Sequence, residues 1–266
     1  MPDTDTQPLT PRRILLVIAT GVGAGFLSGL FGVGGGLVIV PALMAVLRMD
    51  QRRASATSLA AIIVTAAVGS GTYALHGEVS WAGGALLVVG ALVGSQIGVW
   101  LLRRLPAPVL PWILIGFTLF VIVSQYLQVP TREGVVSLRP ASCALLILVG
   151  VCAGILSGLV GVGGGSVIVP GMELAVGAGD LIARGTSLLV MIPTGIAGTV
   201  TNLRHRMVDL RVGLIVGASA AATAPAGRLV ATLVSPSVGA ILFNIFLVSI
   251  IASTILKMRK KARAQG

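Results

Sequence analysis

The feature that most constrains this chain is a glycine cluster that occurs twice inside a long duplicated stretch. GFLSGLFGVGGGLVIVP ends at Pro41 and GILSGLVGVGGGSVIVP ends at Pro170. From Ala24 to Pro41 against Ala153 to Pro170, 15 of 18 positions are identical, the exceptions being Phe26, Phe31 and Leu37. Each glycine in a helix interior costs about 1 kcal/mol relative to alanine, so four in five residues end a helix. Both clusters interrupt strongly apolar sequence, so any fold must accommodate two breaks in hydrophobic helices, 129 residues apart.

The same offset extends beyond the motif. It pairs Thr57-Ser58-Leu59 with Thr186-Ser187-Leu188, Thr65 with Thr194, Gly69 with Gly198, Thr72 with Thr201, His76 with His205 and Gly98 with Gly227. The chain therefore reads as one unit written twice, repeat 1 over about 12–128 and repeat 2 over about 141–257, with a polar linker at 129–140. Each unit holds five apolar stretches, near 14–31, 35–47, 56–75, 82–102 and 108–128, then 141–160, 164–177, 183–203, 210–233 and 237–256. With 55% hydrophobic and 10% charged residues, against about 25% charged in soluble domains, the composition is that of a polytopic membrane protein. The expectation is a single membrane domain over 1–266. The opening PRRILLVIATGVGAGFLSGLFG is read as a retained first membrane segment rather than a cleaved signal.

A crossing needs about 20 residues, and the second stretch of each unit is shorter. Stretches one and two then form a broken hairpin, crossing or re-entering, and the other three cross. An odd number of net crossings turns the second unit upside down. With the N-terminus in the cytoplasm, Arg12, Arg13, Arg48, Arg52, Arg53, Arg103, Arg104, Arg204, Arg206, Arg211, Lys257, Arg259, Lys260, Lys261 and Arg263 fall inside, 15 of the 19 basic residues. Arg132, Arg139 and Arg184 fall outside, and Arg228 lies within a span. The bias predicts an all-α polytopic fold of two inverted repeats, each a broken hairpin plus three transmembrane helices, with both termini cytoplasmic. The net charge of +11 is then a lipid-facing property of loops and no sign of nucleic-acid binding.

Inverted repeats with discontinuous helices are a transporter pattern, with the ligand near midplane between the repeats. A glycine break lets backbone amides converge, and the short helix after it offers a partly positive N-terminus, which suits an oxyanion. Close helix packing is the competing reading, and Gly25-x-x-x-Gly29 and Gly154-x-x-x-Gly158 fit it. A second signal is a polar stripe, Ser58, Thr65, Gly69, Thr72 and His76, repeated at Ser187, Thr194, Gly198, Thr201 and His205. It lies on one helical face, to serve either a ligand or interhelical hydrogen bonds. The candidate substrate-binding residues are Ser28, Gly32, Gly34, Gly35, Gly36, Ser58, Thr65 and Thr72, then Ser157, Gly161, Gly163, Gly164, Gly165, Ser166, Ser187, Thr194, Thr201 and Arg228. Ser166 replaces Leu37 and could cap the second short helix or bind ligand. Arg228 could attract an anion or snorkel outward, and Glu173 could reach water at the boundary.

No catalytic residue, metal site or cofactor is predicted. Cys143 and Cys152 are too few for a metal cluster and read as buried small hydrophobes. A serine hydrolase would need Ser28 or Ser157 within reach of His76 or His205, yet the histidines sit at helix ends, and the elbow pattern G-x-S-x-G is absent. A passive anion channel is the other alternative, and a homo-oligomer is possible.

The paired motifs GFLSGLFGVGGGLVIVPAL with ATSL, and GILSGLVGVGGGSVIVPGM with GTSL, resemble those of the TauE/SafE sulfite-exporter family of membrane permeases, across essentially the whole chain. The resemblance implies movement of small sulfur-containing anions, sulfite or organosulfonates, across a bacterial inner membrane without ATP. Its motif falls on Ser28, Gly29, Gly32, Gly34 to Gly36 and Pro41, and on Ser157, Gly158, Gly161, Gly163 to Gly165 and Pro170.

Overall fold

The computed structural model describes residues 10–106, 108–126 and 139–263. The linker residues 129–138, Arg132 among them, lie outside the described residues. All regular structure described is helical. The first half carries α1 (Pro11–Phe31), α2 (Gly36–Val46), α3 (Gln51–Ala74), α4 (Trp81–Arg104) and α5 (Leu110–Tyr126). The second carries α6 (Pro140–Val160), α7 (Gly165–Val176), α8 (Asp180–Arg204), α9 (Leu210–Leu233) and α10 (Pro236–Arg263). Local chemistry places the boundaries. Pro11 and Pro140 open α1 and α6, where a missing amide hydrogen costs nothing. Asp50, Ser80 and Asp209 cap α3, α4 and α9 by accepting from Arg53, Gly83 and Val212 amides.

Among the described residues seven helices are long and apolar enough to cross a membrane: α1, α3, α4, α6, α8, α9 and the Ser237–Leu256 part of α10. The 11 residues of α2 and 12 of α7 reach only about 16–18 Å, roughly half a bilayer core. The described α5, expected over 108–128, has 17 residues and stands at the short end of the spanning range. Large apolar side chains such as Leu15, Leu148, Leu214 and Ile245 face outward, whereas Ser55, Thr57, Ser58, Thr65, Thr186 and Ser187 are fully buried. Polar groups inside and hydrocarbon outside is the distribution lipid demands.

Small residues set the helix packing. A methyl group on Gly21, Gly25 or Gly29 of α1 would collide with α9 at Val216, Ala220 or Ala224. One on Gly90, Gly94 or Gly98 of α4 would collide with α6 at Ile147, Val151 or Ile155. In both pairs the residue numbers rise together, so α1 runs parallel to α9 and α6 parallel to α4. The buried centre is α3 against α8. Arg53 pairs with Asp209 and Arg103 contacts His205, which gathers the start of α3, the ends of α4 and α8 and the start of α9 at one end. Glu78 pairs with Arg228, and Thr186 accepts from the Ser80 amide, which gathers the opposite helix termini at the other. The first is the arginine-rich end and the second the arginine-poor end. Thus α3 and α8 run antiparallel, and α1 and α6 enter from opposite ends.

Candidate functional site

Both glycine clusters are breaks of the same shape. Gly32 ends α1 in the left-handed conformation (φ 70°), its amide on the Ser28 carbonyl at 2.8 Å, and Gly161 ends α6 with φ 74° and the same bond to Ser157. Gly35 and Gly164 begin α2 and α7, also left-handed. Such φ values fall to glycine because a side chain strains there.

The two breaks meet. A methyl group on Gly36 would lie 2.5 Å from the Gly161 carbonyl and 2.6 Å from Val162 Cα, and one on Gly165 would strike the Gly32 carbonyl, with Val33 Cα at 2.9 Å. The stripe residues of α3 and α8 cover the break carbonyls, each crossing to the other half. Ser58 Oγ donates to Gly161 O at 2.8 Å, and Ser187 Oγ to Gly32 O at 2.5 Å. One turn away Ser55 Oγ donates to Val160 O (2.8 Å), and Arg184 Nη1 to Leu30 O (2.7 Å). Tyr73 Oη reaches Gly29 O at 2.7 Å.

The amides are treated differently. Those of Gly34, Gly35, Gly36 and Leu37, and of Gly163, Gly164, Gly165 and Ser166, have no hydrogen-bond partner among the described residues. The hydroxyls of Ser28, Ser157 and Ser166 are buried and also without one. Each buried unpaired polar group costs about 1–3 kcal/mol. The carbonyls of Leu30, Gly32, Val160 and Gly161 are covered, while those of Val33, Gly34, Val162 and Gly163, like the amides, have no hydrogen-bond partner among the described residues; the two helix N-termini bring their partly positive ends to this place. Between the breaks stand two apolar side chains at matched positions, Ile62 halfway along α3 and Met191 halfway along α8. Met191 Sδ lies 3.0 Å from a Cβ placed on Gly163 and Ile62 Cγ2 3.3 Å from one on Gly34. The breaks therefore sit at the level of the middle of both central helices.

The remaining candidates lie apart from this centre or make other contacts. Thr65 and Thr194 donate to Ala61 O and Val190 O of their own helices, and Thr72 to Gly69 O. Thr201 bonds Gln96 Oε1 and Ala197 O. Arg228 is paired with Glu78 at the arginine-poor end. His76 contacts its own helix at Thr72 O and His205 contacts Arg103, at opposite ends of the molecule, and neither contacts a serine. Glu173 is half-buried in α7. Among the described residues no cluster of three or more His, Cys, Asp or Glu could hold a metal. Cys152 is exposed and Cys143 half-buried, not both buried, because α6 turns its glycine face to α4 and leaves Cys152 on the outside.

The sequence reading missed several contributors. Thr57 and Thr186, paired by the offset, accept from the Asp209 and Ser80 amides and so fix where α9 and α4 begin. Their identity at the offset was the available signal. Asp180 and Arg184 are one helical turn apart, another legible pattern, and form an ion-pair contact at 3.2 Å.

The model of the sulfite exporter TauE/SafE family matches residues 2–124 and 146–266, nearly the full chain and both breaks. The chain belongs to the TauE/SafE family. Its relatives are named as transporters. A probable membrane transporter protein of Haemophilus influenzae is 30% identical over 193 residues, 70% of this chain and 72% of that one. Another from Xylella fastidiosa (strain 9a5c) is 27% identical over 213 residues, 77% of this chain and 80% of that one. The probable membrane transporter protein YunE of Bacillus subtilis is 32% identical over 127 residues, and the match spans 46% of its length. No solved structure matches. The TauE/SafE model covers each glycine break and the helices around it, so this is a membrane protein of a transporter family, with its buried centre at the paired motif.

Proposed function

We propose that the chain is a secondary transporter of small sulfur-containing anions, sulfite or organosulfonates, that binds them at the paired breaks. The observation that carries this reading is the meeting of two helix starts: the amides of Gly34–Leu37 and Gly163–Ser166 have no protein acceptor, and the carbonyls of Leu30, Gly32, Val160 and Gly161 just before them are turned away onto Arg184, Ser187, Ser55 and Ser58. A small oxyanion offers several acceptors and a negative charge to two helix N-termini at once. The orphan hydroxyls of Ser28, Ser157 and Ser166 supply further donors. Ile62 and Met191 move aside to admit the ligand.

In this reading the second half is the first turned over, which the antiparallel α3 and α8 and the opposite entry of α1 and α6 support. The arginine-rich end faces the cytoplasm of a bacterial cell, with both termini there. Rocking one half against the other about the breaks gives alternating access, and the membrane potential or a proton gradient drives export. Basic loops concentrate anions at the inner mouth.

The test is flux in proteoliposomes. Labelled sulfite, a sulfonate panel and sulfate are offered with and without a pH gradient and an imposed potential. Saturable, gradient-dependent sulfite or sulfonate movement is expected. Absence of any anion movement overturns the reading, and gradient-insensitive flux at channel rates replaces the carrier with a pore. A reporter in the 129–138 linker is expected outside the cytoplasm.

A further inference from the structure

The arginine-poor end holds two buried guanidinium groups, each occupied by a carboxylate of the chain itself. Arg228, with a side chain 9% exposed, places Nε and Nη2 each 2.8 Å from Glu78 Oε2. Its guanidinium also lies over the Tyr73 ring, 5.5 Å from the centroid. Arg184 is equally buried. It holds Leu30 O with Nη1 and packs its Cα and Cβ against the Gly32 break, while Nη2 lies 3.2 Å from Asp180 Oδ2. That contact is one of charge, because neither Asp180 oxygen accepts a hydrogen bond although the residue is buried. At the matched positions of the other end stand Val99 for Arg228, Met207 for Glu78, Ser55 for Arg184 and Gln51 for Asp180, none of them charged.

Glu78 is the member of this set that lies outside a helix, its backbone held by the bond from its amide to Tyr73 O. It lies in the short α3–α4 turn, one residue after Gly77, which is left-handed (φ 73°) and has open space around it. Arg228 is fixed in α9, and its backbone packs on Gly29 of α1. A planar fork of N–H donors with one carboxylate oxygen on it suits any small oxyanion equally well.

We propose that Arg228, with Arg184 behind it, forms a second anion-binding station at the arginine-poor mouth, and that Glu78 occupies it as a tethered stand-in which the transported oxyanion displaces. This deepens the anion-transport reading and rests on it for the identity of the ligand. The anion passing between the centre and this mouth takes the Nε–H and Nη2–H of Arg228 as Glu78 swings out on Gly77. When the anion leaves, Glu78 returns and closes the mouth. Closure of the two ends is then unlike: a buried, hydrogen-bonded ion pair here, and the longer, more exposed Arg53–Asp209 pair at the other.

The experiment compares wild type with Glu78→Gln, the double variant Glu78→Gln/Arg228→Gln and the charge swap Glu78→Arg/Arg228→Glu, using sulfite as the probe. Two readouts are taken: sulfite-dependent thermal stabilisation of purified protein, and sulfite flux measured from each face of oriented vesicles. Removing the competing carboxylate in Glu78→Gln is expected to tighten sulfite about tenfold, and to lower the half-saturating concentration by that factor from the arginine-poor face only. The double variant loses the gain. The charge swap restores the pair, and so the unliganded melting temperature, but not transport. Should Glu78→Gln fail to fold, Arg228→Lys, which keeps the charge but loses the fork, is expected to weaken sulfite from that face alone. Unchanged sulfite affinity in Glu78→Gln, an equal shift at both faces, or transport restored by the charge swap overturns the station and makes the pair structural. The anion-transport reading fails separately: wild type that moves no anion, yet binds sulfite more tightly as Glu78→Gln, loses that reading and keeps the station.

Discussion

The centre of the molecule and its two ends follow different rules. At the centre the serine and glycine contacts of the two breaks match at the offset of 129. Ser58 covers Gly161 as Ser187 covers Gly32, and Gly36 abuts Gly161 as Gly165 abuts Gly32. At the ends matched positions carry unlike residues: Tyr73 against Asn202, Glu78 against Met207, Arg228 against Val99. A ligand held between two breaks gains from equal donors on both sides, so identity is useful there. In the proposed transporter the two mouths face different solutions and close separately, so nothing requires them to match.

The sharpest way to break this comparison is to test whether the centre really is even. Gly32→Ala puts a methyl 2.7 Å from Arg184 Cα and Cβ, and Gly161→Ala puts one 2.6 Å from Ser55 Cα, both at left-handed positions. Strain and overpacking together are expected to cost about 2–5 kcal/mol at either site. Thermal unfolding in detergent should show both variants failing together. If one is tolerated, the breaks are not equivalent. Next in size are Ser58→Ala and Ser187→Ala. Each leaves a buried break carbonyl unpaired, for an expected loss of about 1–3 kcal/mol. The two losses should agree to within the error of the melt. A large cost at one and none at the other would mean that only one break is held by its serine.

Much of the centre was legible because identity at a fixed offset and glycine in apolar sequence are both local signals. The ten described helices follow the ten apolar stretches, and the packing glycines Gly25, Gly29, Gly154 and Gly158 face their partner helices as their spacing implied. Depth was not legible. Ser58 and Thr65 share a helical face, yet only Ser58 stands level with a break carbonyl; Thr65 turns back to Ala61. Ile62 and Met191 escaped notice because an apolar pair in an apolar helix carries no contrast. The ends were least legible. Glu78 and Arg228 are 150 residues apart, and an offset that pairs like with like says nothing about unlike partners. Arg228, read as attracting an anion or snorkelling outward, is paired with Glu78.

The smallest expected effect probes the ends through one matched pair. Tyr73 and Asn202 occupy equivalent places near the ends of α3 and α8, and both are fully buried. Tyr73 is long enough to reach Gly29 O, so Tyr73→Phe removes one donor and leaves that carbonyl bare. The expected cost is about 1 kcal/mol. Asn202 is shorter, and neither Nδ2 nor Oδ1 finds a partner among the described residues. A buried amide without partners is a standing cost, so Asn202→Leu, similar in size and apolar, is expected to be neutral or to stabilise by up to about 1 kcal/mol. The two melts should therefore move in opposite directions. If Asn202→Leu destabilises more than Tyr73→Phe, the amide has a partner in solution, and the arginine-rich end is held by a polar contact of its own. The ends would then differ in which group closes them rather than in whether a hydrogen bond does.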